Sequence, residues 1–383
     1  MTQSPSASAH KKIPGFATDE GTAAYRGRFR GNLNDDFYRC QRGLYFASVG
    51  FGSYLGEPDD ATDKLYEEAL EKALSSGINV LDTAINYRAQ RSERVYGKVL
   101  SRLIAAGQLR REEVIVSTKG GFIPFDSDYP EDSRDYFRKT YLDSGLLRPE
   151  DIAQGCHAMT PEYLEDQLNR SLKNLNLDTL DIYFLHNPET QLGEIDRKLF
   201  HRRMAEVFLW MEDKVRANKI RMYGTATWSG YRVPPQEKEF LSLPELEVLA
   251  REAGGAGHHF RALQMPVNLA MPEGWILANQ TYGANEVSVL QLARKQDMIV
   301  MGSGALLQAR LVGPFPEFLV RKFQPLETSA QRAIQFARSV PGVTVSLVGM
   351  KTSVHLLENL EVAKVPPIRE EQLLQLFQEN TQA

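Results

Sequence analysis

From about residue 43 the chain alternates short apolar runs with longer stretches whose apolar positions recur every three to four residues. Eight runs qualify as strands: YFASVGFG (45–52), INVLD (78–82), VIVSTK (114–119), DIYFLH (181–186), IRMYGTA (220–226), RALQMPV (261–267), MIVMGS (298–303) and VTVSLVG (343–349). Most are nearly continuous in apolar character. That pattern suits strands covered on both faces, as in a parallel sheet. The clearest helical stretches are 63–76, 92–106, 161–175 and 284–295. Thr160 before Pro161 makes a good helix start, an N-cap followed by proline at the first helical position.

Eight strand–helix units predict an α/β fold, a closed (β/α)8 TIM barrel, over an open doubly wound sheet. Such a barrel needs only about 250 residues. The excess is expected in loops, above all the aromatic-rich insertion 121–158 after the third strand. Its place on the strand end where barrels carry chemistry makes it a candidate lid or substrate wall. A second long connection covers 228–260. Residues 1–36 are polar and without periodicity, and are expected as a disordered or extended tail. Residues 37–383 are then expected as a single barrel domain.

Composition narrows the function classes. The 383 residues are 42% apolar and 25% charged, with net charge −4, which is ordinary for a globular protein. The acidic balance gives no electrostatic case for nucleic acid or an anionic membrane. No apolar run is long enough to span a bilayer, and the N-terminal residues lack the apolar centre of a secretory signal. Two cysteines, Cys40 and Cys156, form no CxxC pair, so a cytoplasmic, reducing setting is expected. His258–His259 has no neighbouring carboxylate or cysteine in sequence, so no metal site is expected.

Four polar residues lie at or just past strand ends: Asp82, Tyr87, Lys119 and His186. In a barrel those ends converge on one mouth. A phenol can protonate a carbonyl oxygen, but at a pKa near 10 it is a poor acid at neutral pH. An ammonium beside it, held by a carboxylate, is expected to lower that value. An imidazole can orient the carbonyl. None of the four supplies an electron pair, so a hydride donor such as a nicotinamide is implied.

At these residues the chain resembles the aldo-keto reductases. GINVLDTAINY (77–87) is similar to that family's second-strand motif, and Asp82, Tyr87, Lys119 and His186 match its catalytic positions. The resemblance implies an NAD(P)H-dependent oxidoreductase that interconverts an aldehyde, ketone or sugar carbonyl with the corresponding alcohol. The alternative is a nicotinamide-binding regulatory subunit with vestigial catalysis. The resemblance also implies cofactor contacts at Gly52, Ser53 and Tyr54, at Thr227 and Gln264, at Gly302, Ser303 and Gly304, and at Lys351, Thr352, His355, Glu358 and Asn359. NADPH is expected over NADH. Three departures stand out. Gly302 falls where an aromatic often stacks on nicotinamide, and Ala226 replaces a usual serine. Arg88 and Arg91 follow the tyrosine and place positive charge near the mouth, where it would attract an acidic substrate. The substrate's identity and the oligomeric state are not legible in the residues.

Overall fold

The computed structural model describes residues 12–378. Eight parallel strands close into a barrel: Val49–Gly52, Val80–Asp82, Ile115–Gly120, Leu180–His186, Ile220–Ala226, Phe260–Pro266, Ile299–Ser303 and Val345–Gly349. Closure is made where the eighth strand pairs with the first, Ser346 opposite Val49 and Gly349 opposite Gly52. The (β/α)8 expectation holds.

The continuous apolar runs now have a physical reason. Successive strand side chains point to opposite faces. Val80, Ile115, Ile182, Phe184, Ala262, Ile299, Met301 and Val345 fill the barrel interior as one cluster. Their neighbours Leu81, Val116, Tyr183, Leu185, Leu263, Val300 and Val348 belong to a second, larger cluster shared with the surrounding helices. Both faces are buried, so both are mainly apolar.

That alternation also decides which residues reach the mouth. Asp82 shares the inward face of Val80, Ser117 and Lys119 that of Ile115, His186 that of Phe184, Gln264 that of Ala262, and Ser303 that of Met301.

Three helices match their expected ranges within a few residues: Asp60–Leu74, Arg91–Ala105 and Pro161–Asn174. Thr160 caps the last of these, its side chain accepting from the Tyr163 N–H. The stretch 284–295 is corrected. Asn285–Ser288 is a strand pairing antiparallel with Ala278–Tyr282, and the helix is only Val289–Lys295. Ser288 starts it with a capping box to Gln291, a stop and start that apolar periodicity does not reveal. The first expected strand is also divided. Leu44–Ala47 pairs with Tyr38–Gln41 in a hairpin, and the barrel strand begins at Val49 after a bend at Ser48.

The expected N-terminal tail is corrected from residue 12 onward. Asp19–Arg28 is a helix capped by Thr18. Tyr25 is fully buried and donates its hydroxyl proton to the carbonyls of Leu74 and Ile78. The Ala17 N–H donates to Asp181, which is also paired with Arg111 at 2.7 Å. Ala17, Leu44 and Phe46 join the interior cluster and close the barrel floor. A few apolar anchors in a polar segment suffice for this, and too few recur to make a visible period. Residues 1–11 of the expected tail lie outside the described residues.

The insertion after the third strand is zipped at its base. Ile123 N–H donates to the Cys156 carbonyl at 2.8 Å and Ala158 N–H to Gly121 at 3.0 Å. Beyond the zip it packs Tyr141, Leu147 and Ala158 against Tyr163 in a small core of its own. Among the described residues no helix is long and apolar enough to cross a membrane.

Candidate active site

Asp82, Lys119 and His186 converge on the C-terminal mouth from the ends of the second, third and fourth strands. Lys119 is fully buried. Its ammonium donates to Asp82 Oδ2 at 2.7 Å and to the Thr83 carbonyl at 2.7 Å. The other carboxylate oxygen, Oδ1, accepts from Ser117 Oγ at 2.7 Å and from Gln264 Nε2 at 2.9 Å. A buried ion pair satisfied on this scale is costly to break, about 3–5 kcal/mol if one partner is removed. Burial alone would depress the Lys119 pKa, but Asp82 and Tyr87 together outweigh it and the ammonium is held charged.

Tyr87 lies in the loop after the second strand, half-buried. The Lys119 ammonium sits 4.9 Å from its ring centroid. Tyr54 packs edge-on at 5.0 Å from one side and His186 at 6.0 Å from the other. Here the expected lowering by the ammonium is present but is not the larger effect. Burial pushes the phenol above its ordinary pKa, and Lys119 opposes that by charge and hydrogen bond without overcoming it. The resting phenol is therefore protonated.

Burial, then the charge of Lys119, hold His186 well below the ordinary histidine range, so its ring is neutral. Its Nδ1 is buried with no hydrogen-bond partner among the described residues. Phe122, from the start of the insertion, meets the ring edge-to-face at 4.9 Å.

The loop carrying Tyr87 is shaped by residues that follow it. Arg88, Ala89 and Gln90 all adopt left-handed backbone, with φ of 50°, 51° and 69°. Each such residue costs roughly 1–2 kcal/mol, so the turn must be held from outside. Arg88 is buried rather than solvated, 3% exposed. It donates to the Glu57 carbonyl at 2.9 Å, pairs with Asp63, and lies over the Tyr66 ring at 5.2 Å. Arg91 pairs with Asp60 and Asp63. The expected positive charge at the mouth is thus already neutralised. The insertion supports the same turn: Ser127 N–H donates to Ala89 and Gln90 Nε2 to the Phe125 carbonyl.

The expected cofactor positions ring the other side of the mouth. Gly52 ends the first strand, followed by Ser53, bonded to Thr83 Oγ1 at 3.0 Å, and by exposed Tyr54. Thr227 follows the fifth strand, and its hydroxyl is buried without a partner among the described residues. Ala226 is buried beside it. Gln264, expected to hold the cofactor, bonds Asp82; it faces inward and reaches across the barrel.

Gly302 points outward, where a Cβ would lie 3.3 Å from Val267 and 3.5 Å from Val343. Ser303 faces inward beside Gly304, whose φ is +65°. Lys351, Thr352 and His355 gather at the start of the helix Ser353–Leu360, with Lys351 and His355 exposed. Glu358 and Asn359 lie in its last turns, Asn359 buried.

Several neighbours of the site carry no local sequence signal: Ser117 on Asp82, Phe122 on His186, and Glu189. The Glu189 carboxylate accepts from the N–H groups of Trp228 at 2.6 Å and Ser229 at 3.1 Å, anchoring the loop after Thr227. Burial pushes its pKa up to about 7, against those hydrogen bonds. The His258–His259 pair forms no metal group: His259 Nδ1 meets Glu212 at 2.9 Å, and Glu212 also accepts from Tyr223. Among the described residues no cluster of metal-ligating side chains occurs.

Residues 48–233 match the model of the Aldo/keto reductase family. Aldo-keto reductase family 1 member C1 of Homo sapiens is 26% identical over 157 residues, 40% of this chain and 36% of that protein. Aldo-keto reductase family 4 member C11 of Arabidopsis thaliana is 25% identical over 212 residues, 52% of this chain and 54% of that protein. The chain thus spans about a third to a half of the curated relatives it matches. The fold is similar to an aldo/keto reductase from Klebsiella pneumoniae solved in complex with NADP and acetate. The TM-score is 0.60 and the identity 19%, over 90% of this chain and 95% of that one. It is also similar to the glycerol dehydrogenase from Gluconobacter oxydans, with TM-score 0.60 and 17% identity over 90% and 95%. With the tetrad positions brought together at the mouth of this barrel, the chain is similar to the aldo-keto reductases in sequence over residues 48–233 and in fold over nine tenths of its length.

Proposed function

We propose that this chain is an NAD(P)H-dependent oxidoreductase that interconverts an aldehyde, ketone or sugar carbonyl with its alcohol. The observation that carries the reading is the buried Asp82–Lys119 pair set against the half-buried Tyr87, with neutral His186 on the phenol's other side.

The cofactor-facing residues fit a nicotinamide. The unpartnered buried hydroxyl of Thr227 suits a carboxamide, which both donates and accepts. Lys351 and His355, exposed at a helix start, suit a phosphate, and favour NADPH over NADH. The Klebsiella pneumoniae relatives solved with NADP and NADPH support the same choice. When bound, the cofactor supplies the hydride. Tyr87 holds the proton for the carbonyl oxygen. Lys119 stabilises the phenolate left behind, and Asp82 keeps Lys119 charged and in place. His186 orients the carbonyl by a hydrogen bond. In the reverse direction the same phenolate accepts a proton from an alcohol or a sugar hemiacetal. A cytoplasmic setting is proposed from the two cysteines, neither in a disulfide.

Tyr87→Phe removes only the transferable proton. Turnover on a carbonyl and sugar panel, followed at the nicotinamide absorbance with NADPH and NADH, is expected to fall by about 10³-fold or more. Cofactor affinity by fluorescence titration is expected to stay within a few-fold. Full activity in this variant would sink the mechanism.

A further inference from the structure

His157 lies in the insertion, 38 residues beyond Lys119, and has no counterpart among the four proton-transfer positions. It is fully buried. Its Nε2 is 2.6 Å from the carbonyl oxygen of His186, and its Nδ1 is 2.9 Å from Gln191 Nε2. Gln191 Oε1 in turn accepts from Arg203, on the helix Arg197–Arg216.

This chain of bonds admits one proton arrangement. A guanidinium only donates, so the Gln191 oxygen faces Arg203 and its NH2 faces the ring. Nδ1 must then accept, and Nε2 carries the proton. From the other end, the His186 carbonyl can only accept, which again puts the proton on Nε2. Both ends agree on one neutral tautomer.

The carbonyl that His157 holds belongs to the peptide joining His186 to Asn187. The N–H of that peptide donates to the Ala226 carbonyl at 2.6 Å. So the plane directly after His186 is pinned at both edges, and Asn187 beyond it turns left-handed at φ 43°. Among the described residues the His186 imidazole has no partner on Nδ1, so no hydrogen bond from them fixes its direction there. Its aim is set by the pinned backbone and by Phe122, whose ring touches both histidines, at 5.3 Å and 4.9 Å. Gly121 leaves room for the joint: a Cβ there would come within 2.8 Å of both His157 Nε2 and the His186 oxygen.

We propose that His157 is a positioning residue for His186, and that the Arg203–Gln191–His157 relay makes the insertion part of the catalytic framework. The proposal rests on the oxidoreductase reading for its kinetic consequence, but its structural content stands apart.

The test uses His157→Phe, which keeps a ring but loses the donor, and His157→Gln, whose amide nitrogen can take the place of Nε2. In His157→Phe, kcat is expected to fall about ten- to hundredfold, with carbonyl KM and cofactor affinity within about threefold. His157→Gln is expected to recover most of kcat. An unchanged kcat in His157→Phe overturns the proposal, as does equal loss in both variants. Should His157→Phe fail to fold, nitrogen NMR of the wild-type protein decides: a proton on Nδ1, or a doubly protonated ring at pH 7, overturns the relay. If the wild-type protein turns over nothing on the panel, it is the oxidoreductase reading that fails. The His186 ring resonances then test the relay alone: they should shift in His157→Phe and hold in His157→Gln, and equal positions in all three proteins overturn it.

Discussion

The two halves of the barrel mouth are built on opposite terms. On the side of the second to fourth strands the charged groups are committed: both oxygens of Asp82, the ammonium of Lys119, and the guanidinium of Arg88 at three points, with Arg88 Nη1 and the neutral His186 Nδ1 left without a partner among the described residues. On the side of the fifth, seventh and eighth strands polar groups are left open. Thr227 keeps a buried hydroxyl without a partner, and the side chains of Lys351 and His355 hold no ion pair or hydrogen bond among the described residues. Under the proposed function the difference separates two kinds of work. Charge that must be ready when a proton moves is organised beforehand, at a cost met during folding. Groups meant for a ligand stay unsatisfied until it arrives.

The comparison is most exposed at Lys119. Lys119→Met keeps the length of the side chain and removes the charge. It is expected to lower kcat by about 10³-fold, within the range of general acid–base effects, while cofactor affinity shifts by no more than a few-fold. It should also cost stability, about 3–5 kcal/mol, because Asp82 is left buried and uncompensated. Asp82→Asn in the same chain should restore part of that stability and none of the turnover. Cofactor affinity falling in step with kcat would show the two halves to be one unit.

A smaller effect is expected at Arg88, which bears on the committed half alone. Arg88→Ala releases Asp63, which retains Arg91, and frees the left-handed turn behind Tyr87. Loss of these buried hydrogen bonds should cost about 1–3 kcal/mol, read from the urea midpoint, with kcat lowered through a looser Tyr87. Greater stability in this variant would mean that the turn needs no support.

The committed half was largely legible in the sequence and the open half was not. Strand-end residues are fixed by the two-residue alternation, so Asp82, Lys119 and His186 follow from the apolar runs that contain them. The same alternation, applied to Ile299, Met301 and Ser303, already implies that Gly302 faces outward. Gln264 is inward-facing by the same alternation, but which partner it meets across the barrel is a matter of barrel diameter, not of local sequence. Arg88 read as surface charge because its partners, Glu57 and Asp63, lie on the preceding strand–helix unit. His157 carried no signal, since its partners are a backbone carbonyl and a glutamine more than 25 residues away. Contacts made through loops are the part that composition and period cannot carry.

The finest test of the comparison lies at Thr227, where the two halves predict opposite signs. In a committed site, Thr227→Val would remove a hydrogen bond and destabilise the protein. Here the hydroxyl is buried and unpartnered among the described residues, and a valine is nearly the same shape. A buried polar group without a partner is itself a cost, about 1–3 kcal/mol from mutational data. The protein without cofactor is therefore expected to gain up to about 1 kcal/mol, seen as a higher urea midpoint. Cofactor binding should move the other way, weakened about five- to tenfold, as for the loss of one hydrogen bond. Added cofactor would then raise the melting temperature of Thr227→Val less than that of the wild type, since ligand stabilisation scales with the logarithm of ligand concentration over Kd. A variant less stable without cofactor and unchanged in affinity would assign Thr227 to the framework, and the open half of the mouth would begin at Ser303.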